Sequence, residues 1–200
     1  MTLLTLAQGL ARNVGMQVPS SVVGNAAREW VVALQFANEK GEELSRRVDW
    51  GALQASVTLT GDGTNLAHPL PSGFSRLNQG VCVRSGANIV RPLSRAEWNV
   101  LTPVEGTPRY FLLEGDELTL FPYLANAATV TVEYQSKNWT DAGTSMFTMD
   151  TQSSLIDEDL FLKGLVVRWR TQKGMPYADE EAEYEAALQD FARFNDRSRI

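Results

Sequence analysis

The sequence has one cysteine and one histidine in 200 residues. Because a single thiol, Cys82, can form neither an intramolecular disulfide nor a thiolate-rich metal site, the chain is compatible with a reducing compartment. The only histidine, His68, has Ser72 and Ser75 near it in sequence. A Ser-His-Asp site also needs a nucleophile elbow of the G-x-S-x-G type, and the sequence contains none. We therefore expect a packing or surface histidine.

Long apolar runs and a surplus of positive charge are also missing. No stretch approaches the length of a membrane span. The formal net charge of −6 and the pI near 4.9 argue against a protein that grips nucleic-acid phosphates, because that function needs a basic face. Residues 1–15 lack a basic n-region, and their leucines recur at helical spacing, so we expect a structural helix rather than a signal peptide. The sequence predicts a soluble protein of the cell interior, or of a particle assembled there, without a membrane partner.

Carboxylates and glycine-rich turns offer no recognisable active site. Glu114, Asp116 and Glu117 crowd a predicted hairpin tip, whereas glycosidase carboxyls face each other across a cleft. The loop at residues 61–65 has oxygen ligands on alternate residues but lacks the bidentate glutamate of an EF-hand. A phosphate-binding glycine loop is absent as well. The sequence thus predicts no catalytic, cofactor-binding or metal-binding residues, and a protein that is not an enzyme.

Amphipathic helices are predicted at both ends of the chain. Hydrophobic residues make up 44% of the sequence, enough for a substantial core. Two N-terminal and two C-terminal segments carry apolar stripes at helical spacing. These stripes contain Leu3, Leu6, Leu10 and Val14, then Ala27, Trp30, Val31 and Leu34, then Leu160, Phe161, Leu165 and Trp169, and finally Tyr184, Leu188, Phe191 and Phe194.

The middle of the chain has the alternation typical of strands. The segment RYFLLEGDELTLF, from residue 109 to 121, contains a Gly115-Asp116 turn of the kind that closes a two-residue hairpin. TVTVEY, from residue 129 to 134, alternates polar and apolar residues, so one of its faces is expected to be buried. We predict an antiparallel meander from these segments, and a polar surface excursion over residues 138–154.

The predicted fold class is α+β, with a helical bundle formed by the N- and C-terminal helices and an inserted antiparallel β domain. The predicted helical body comprises residues 1–54 and 152–200, and the predicted β-rich insert comprises residues 55–151.

The last residues are basic in an otherwise acidic chain. Arginine and aromatic side chains dominate interface hot spots, so these residues are candidates for an anchoring surface. A frayed, solvated terminus is the alternative. The candidate interface residues are Phe191, Arg193, Phe194, Arg197, Arg199 and Ile200.

The order of these segments resembles a known family. Trp50 and Leu53 follow the two N-terminal helices, and an acidic, alanine-rich helix with Tyr184 and Phe191 closes the chain. Between them lie the segments HPLPSGFSR (68–76), RYF (109–111), LTLFP (118–122), VTVEY (130–134) and LFLKGL (160–165). In this order the chain resembles the head-to-tail adaptor proteins of tailed bacteriophages, also called head completion or connector proteins.

The resemblance implies a structural virion protein of the phage neck. Such adaptors form a ring, usually twelvefold, beneath the portal protein, extend the DNA channel and help to retain packaged DNA. The implied partners are the portal, a downstream neck or tail (nozzle) protein and further copies of the chain, with DNA passing through without sequence-specific binding. The C-terminal segment would be the candidate portal interface. The implied location is the head-tail interface of the virion, after assembly in the host cytoplasm.

Besides an unrecognised hydrolase, which would need a cleft that gathers carboxylates from separated segments and which no motif indicates, two other functions stay open at the level of sequence. A tail-completion or terminator protein is one, although such proteins are mostly β and four helical segments argue against it. A carbohydrate- or ligand-binding module is the other, with Trp98, Tyr110 and Trp139 stacking on sugar. Long helices at both ends are not expected in a plain β-sandwich module.

Overall fold

The computed structural model describes the backbone of residues 1–197 and the side chains of residues 1–193. Its helices are α1 (Leu3–Val14), α2 (Arg28–Arg47), α3 (Arg95–Trp98), α4 (Glu158–Lys173) and α5 (Ala178–Arg197). Its strands are β1 (Gln54–Thr60), β2 (Ala67–Pro69), β3 (Phe74–Leu77), β4 (Val83–Ser85), β5 (Asn88–Ile89), β6 (Arg91–Pro92), β7 (Glu105–Gly106), β8 (Tyr110–Glu114), β9 (Glu117–Phe121), β10 (Tyr123–Leu124) and β11 (Thr129–Ser136).

The chain forms two compact units. The helical unit consists of Met1–Leu53 and the segment that starts at Lys137, and the β unit is Gln54–Ser136. In sequence, N- and C-terminal helices therefore flank an inserted antiparallel β region, which confirms the predicted α+β fold class. The second unit boundary lies before residue 137, whereas the sequence-based division lies at residues 151 and 152.

Local signals set the ends of the helices in the helical unit. The Thr2 side chain accepts from the backbone N–H of Thr5 at the start of α1, and Gly15 ends that helix in the left-handed conformation. Asp157 caps α4 through the backbone N–H of Leu160, and Gly174 ends it at φ 65°. Gly174, followed by Pro176, is the local sequence signal that ends this helix.

A single hydrophobic cluster fills the helical unit. Leu10, Leu44 and Phe161 are fully buried in it, and α4 packs against α1, α2 and α5. Residues 138–154 are predicted to be a polar surface excursion, which holds for exposed positions such as Asp141–Gly143 but is wrong for two aromatic side chains. Trp139 is 0% exposed, and its ring lies 4.8 Å from that of Phe147 and 5.7 Å from that of Phe161. The segment is polar on average, but it carries two aromatic side chains into the core.

The β unit contains two main sheets. One has the strand order β1-β11-β4-β5, with β3 also paired to β11, and the other has the order β2-β9-β8-β6. The 115–116 hairpin between β8 and β9 forms as predicted, but the predicted meander does not continue into β11. Strand β11 instead pairs along its length with β1, from Gln54↔Gln135 to Thr60↔Thr129. Short parallel pairings join β6 to β8 and β7 to β10, within a unit that is otherwise antiparallel.

Among the described residues, no helix is both long and apolar enough to cross a membrane.

Candidate interaction site

Helix α5, which carries the first of the predicted interface residues, is held on the helical unit by its apolar side. Tyr184 and Leu188 are 2% and 5% exposed, and they are four residues apart, so they lie on the same face. Phe191 continues this face, with its ring centroid 4.6 Å from that of Trp50. Trp50 is itself fixed, because its indole N–H donates to the Leu44 carbonyl at 2.7 Å. The first part of the C-terminal segment is therefore attached to the body of the unit.

Charged groups surround Tyr184 at the same contact. The ammonium of Lys40 lies 5.0 Å from the centre of the Tyr184 ring. Arg47 donates two hydrogen bonds to the Glu185 carboxylate, at 2.7 and 2.8 Å. Burial raises the pKa of Tyr184, and the Arg47 guanidinium lowers the pKa of Glu185. These contacts fix α5 against α2 by packing and by the bidentate ion pair between Arg47 and Glu185.

Gly164 makes the close approach of α4 and α5 feasible. A Cβ at position 164 would lie 2.9 Å from Tyr184 Cε2 and 2.9 Å from Lys40 Cδ. A larger residue there would push both side chains out of their positions.

The predicted portal-interface residues are placed differently from one another. Phe191 is half-buried against Trp50. Arg193 is exposed, with one guanidinium nitrogen 3.8 Å from Asp190. Phe194 and Arg197 belong to the last turns of α5, and their side chains lie outside the described part, as do Arg199 and Ile200 entirely. The structure therefore separates an inward-facing Phe191 from an outward-facing Arg193.

An acidic stripe runs along the exposed side of α5. Asp179, Glu183 and Asp190 are all exposed, and their spacing of four and seven residues places them on one face. Within the described residues, neither Asp179 nor Glu183 forms an ion pair. The pKa of Lys163 is raised mainly by its hydrogen bond to Asp159, and the charge of Glu183 adds to this effect. We call Asp179, Glu183 and Asp190 the acidic stripe.

A surface cleft in the β unit is lined by two arginines that the sequence did not single out. The cleft has a volume of about 630 Å³, and its lining includes Asn88, Arg91, Thr107, Arg109 and Tyr110. Arg91 and Arg109 are 18 positions apart but come together because β6 pairs in parallel with β8, with Arg91 opposite Tyr110. No local sequence pattern indicates that β6 pairs with β8, so the proximity of Arg91 and Arg109 could not be predicted from the sequence alone. We call this the arginine cleft.

The residues considered for chemistry do not form an active site. Asp62 accepts hydrogen bonds from the backbone N–H groups of Thr64 and Asn65, and these bonds lower its pKa to about 2. His68 is buried, which lowers its pKa, and its Nε2 has no hydrogen-bond partner in the described chain. Glu114 at the hairpin tip is paired with Arg95 at 2.6 Å. Among the described residues, no group of His, Cys, Asp and Glu could hold a metal ion.

Of the three aromatic residues considered for sugar binding, only Tyr110 is exposed. Trp139 is fully buried in the helical unit and cannot stack on a sugar. Trp98 is half-buried and packs edge-on against Phe121, with ring centroids 6.2 Å apart. Tyr110 remains accessible, in the arginine cleft. One exposed aromatic ring is not a sugar-binding platform, so the structure gives this alternative no support.

Comparison with known proteins identifies the family. A search of curated proteins finds no match to the chain. The family model described as "SU10 adaptor protein" matches residues 1–200, which is the whole sequence. The chain therefore belongs to the SU10 adaptor protein family, in agreement with its resemblance to the head-to-tail adaptors of tailed bacteriophages.

Proposed function

We propose that this protein is a structural component of the phage neck, where copies of it form a ring that joins the portal to the tail. The match of an adaptor family model to the entire chain is the observation that carries this proposal. The ring, twelvefold in this proposal, extends the DNA channel and helps to retain packaged DNA. Its partners are the portal above and a neck or tail (nozzle) protein below.

The net negative charge of the chain is suited to lining a channel through which DNA passes. With a net charge of −6, the protein has no general attraction for phosphates, and like charge along a channel reduces sticking. DNA then passes without sequence-specific binding. His68 is buried, Asp62 holds the turn at residues 62–65 and Glu114 is paired with Arg95, so each of these groups has a packing or local structural role. This supports a role that is structural rather than enzymatic.

The end of α5 is the proposed portal-binding element. Arg193 is exposed while Phe191 holds the preceding turn against Trp50, so the basic end of the chain starts from a fixed point. The β unit then faces outward or towards the tail. In this arrangement Arg193, Arg197 and Arg199 supply the charges that bind the portal, and Phe194 and Ile200 supply the apolar contacts.

Binding to the purified cognate portal, measured by co-sedimentation, tests this proposal. We expect simultaneous substitution of Arg193→Glu, Arg197→Glu and Arg199→Glu to weaken binding by about tenfold or more, because charged anchors at an interface are hot spots. A double variant with Arg12→Glu and Arg28→Glu is the matched control, since both residues are exposed on other helices.

Deletion of residues 193–200 provides a second test that spares the contact between Phe191 and Trp50. We expect this deletion to abolish portal binding while the thermal unfolding midpoint stays close to that of the full chain. Undiminished binding by the deleted protein would exclude the C-terminal segment as the portal anchor. Failure of the full-length protein to bind the portal would contradict the adaptor function itself.

A further inference from the structure

The arginine cleft differs from the rest of the β unit in having positive charge without a partner. The unit contains five arginines and no lysine. Arg84 is paired with Glu133 at 2.9 Å and Arg95 with Glu114 at 2.6 Å. By contrast, no described carboxylate lies within ion-pair distance of Arg91 or Arg109, and both arginines are exposed.

Apolar surface continues from the arginine cleft. Ile89 is 51% exposed, and Tyr110 is 36% exposed. Both residues line the cleft, and Ile89 and Arg91 also line a neighbouring cleft of about 540 Å³ with Val81 and Leu93. Exposed aromatic and aliphatic groups beside arginine are the composition of protein–protein interfaces rather than of a solvated surface.

The acidic stripe of α5 carries the charge opposite to that of the arginine cleft. Asp179 and Glu183 are exposed and form no ion pair with any described residue, whereas Glu180 and Glu185 on other sides of the helix are paired with Arg170 and Arg47. From Asp179 to Asp190 the stripe extends along about 16 Å of the helix. Each chain therefore has a cleft with two unpaired arginines on one unit and, on the other, an acidic helix face on which Asp179 and Glu183 are unpaired among the described residues.

We propose that the arginine cleft of one copy receives the acidic stripe of α5 from a second copy. This inference rests on the proposed ring, and it names the surfaces through which neighbouring copies meet. Because the two surfaces are different, the contact is heterologous, the type that generates a closed ring when the rotation between copies closes. Arg91 and Arg109 bind the carboxylates, and Tyr110 and Ile89 pack against the helix beside them.

A second copy fits the cleft better than nucleic acid does. The β unit has seven acidic residues against its five arginines, so its overall charge repels a phosphate polymer. Two arginines suit a pair of carboxylates on one helix face, because guanidinium and carboxylate groups match in geometry.

Cross-linking between two single-site variants tests the contact. Arg109→Cys is introduced into one preparation and Glu183→Cys into another, and the two are mixed with the cognate portal and a short bismaleimide. Only a contact between copies can join the two chains. The matched control replaces Glu183→Cys by Glu29→Cys, an exposed carboxylate on α2. We expect the first mixture to yield at least about tenfold more linked dimer than the control.

A charge-exchange experiment is the second test of the contact between copies. We expect Arg91→Glu with Arg109→Glu to reduce assembly, and addition of Asp179→Arg with Glu183→Arg on the same chain to restore it. Duplex DNA binding is measured on the same variants by gel shift. Loss of DNA binding in the arginine variant, without cross-linking in the first experiment, would assign the cleft to nucleic acid and overturn the proposal.

The outcomes separate the contact from the adaptor function. Rings that form on the portal without excess cross-linking contradict the contact and leave the adaptor function intact. Cross-linked dimers that form without any ring on the portal support the contact and contradict the adaptor function. If neither rings on the portal nor excess cross-linked dimers form, the proposed contact and the adaptor function are both contradicted.

Discussion

Gly41 and Trp139 are in close contact in the helical unit. A Cβ at position 41 would overlap the indole ring of Trp139, which is fully buried. The indole N–H has no hydrogen-bond partner in the described chain, so Trp139 acts through its shape and its contacts with Phe147 and Phe161. The glycine is thus required by packing rather than by the backbone, since α2 is continuous through it.

Gly41→Ala should therefore destabilise the protein, although alanine is the better helix former by about 1 kcal/mol. We expect a loss of about 2 kcal/mol or more in the free energy of unfolding, because overpacking displaces the indole. Gly51→Ala is the control, since nothing lies within 4 Å of a Cβ there. Urea unfolding of the two variants measures the effect, and equal stability of both would show that Trp139 can move aside.

Cys82 should react slowly with thiol reagents in the folded protein. It is 7% exposed, and burial raises the pKa of its thiol, so the reactive thiolate is scarce. We expect labelling by a chromogenic disulfide reagent at pH 8 to be slow in the native state and rapid after denaturation. Rapid native labelling would contradict the burial of Cys82. It would also require replacement of Cys82 before the cross-linking experiment.

At the scale of elements, the attachment of α5 should depend on pH through Glu185. The Arg47 guanidinium lowers the pKa of Glu185 below its ordinary value of 4.5. The ion pair therefore stabilises the folded state above that value, and its contribution is lost as the pH falls through the lowered pKa. Because both groups are more than a third exposed, we expect the contribution to be at most about 1 kcal/mol.

Glu185→Gln tests this contribution, with the exposed Glu181→Gln as control. The free energy of unfolding is measured by urea titration at several pH values. We expect Glu185→Gln to be less stable than the wild-type protein at pH 7 and equally stable at a pH below the folded-state pKa of Glu185. A stability difference that persists in acid would indicate that Glu185 acts by packing rather than by charge.

Elements with local signals could be predicted from the sequence, and those that depend on distant pairing could not. The capping box of Ser94 and Glu97 and the Gly174 stop are set by neighbouring residues, and both are present. Strand β11 is predicted as a strand, but its partner β1 lies 69 to 81 residues earlier, from the pair Thr60↔Thr129 to the pair Gln54↔Gln135. Nothing in the sequence of either strand indicates this pairing. The prediction therefore continued the β8–β9 hairpin into a meander, because neighbours in sequence usually pair.

The candidate sites also divide into one with a local sequence signal and one that depends on distant strand pairing. The basic C-terminal segment was visible as a cluster of arginines in the sequence. The arginine cleft was not, since Arg91 and Arg109 are brought together only by the pairing of β6 with β8. Trp139 is a sugar-stacking candidate at the level of sequence and lies in a polar segment, but the structure shows that its ring is fully buried.

At the scale of the whole molecule, assembly through the arginine cleft should weaken with salt. The carboxylates and guanidiniums concerned are exposed in the free chain, so their attraction is screened as ionic strength rises. We expect the yield of cross-linked Arg109→Cys and Glu183→Cys dimer to fall between 0.1 and 1 M sodium chloride. A yield that rises with salt would indicate that the contact between copies is dominated by apolar burial.

Electron microscopy of the purified protein mixed with its cognate portal tests the central claim most directly. The adaptor function predicts a ring of additional density, coaxial with the portal, in which the end of α5 faces the portal. Portal particles without additional density, at concentrations where the protein is folded and in excess, would contradict the proposed function.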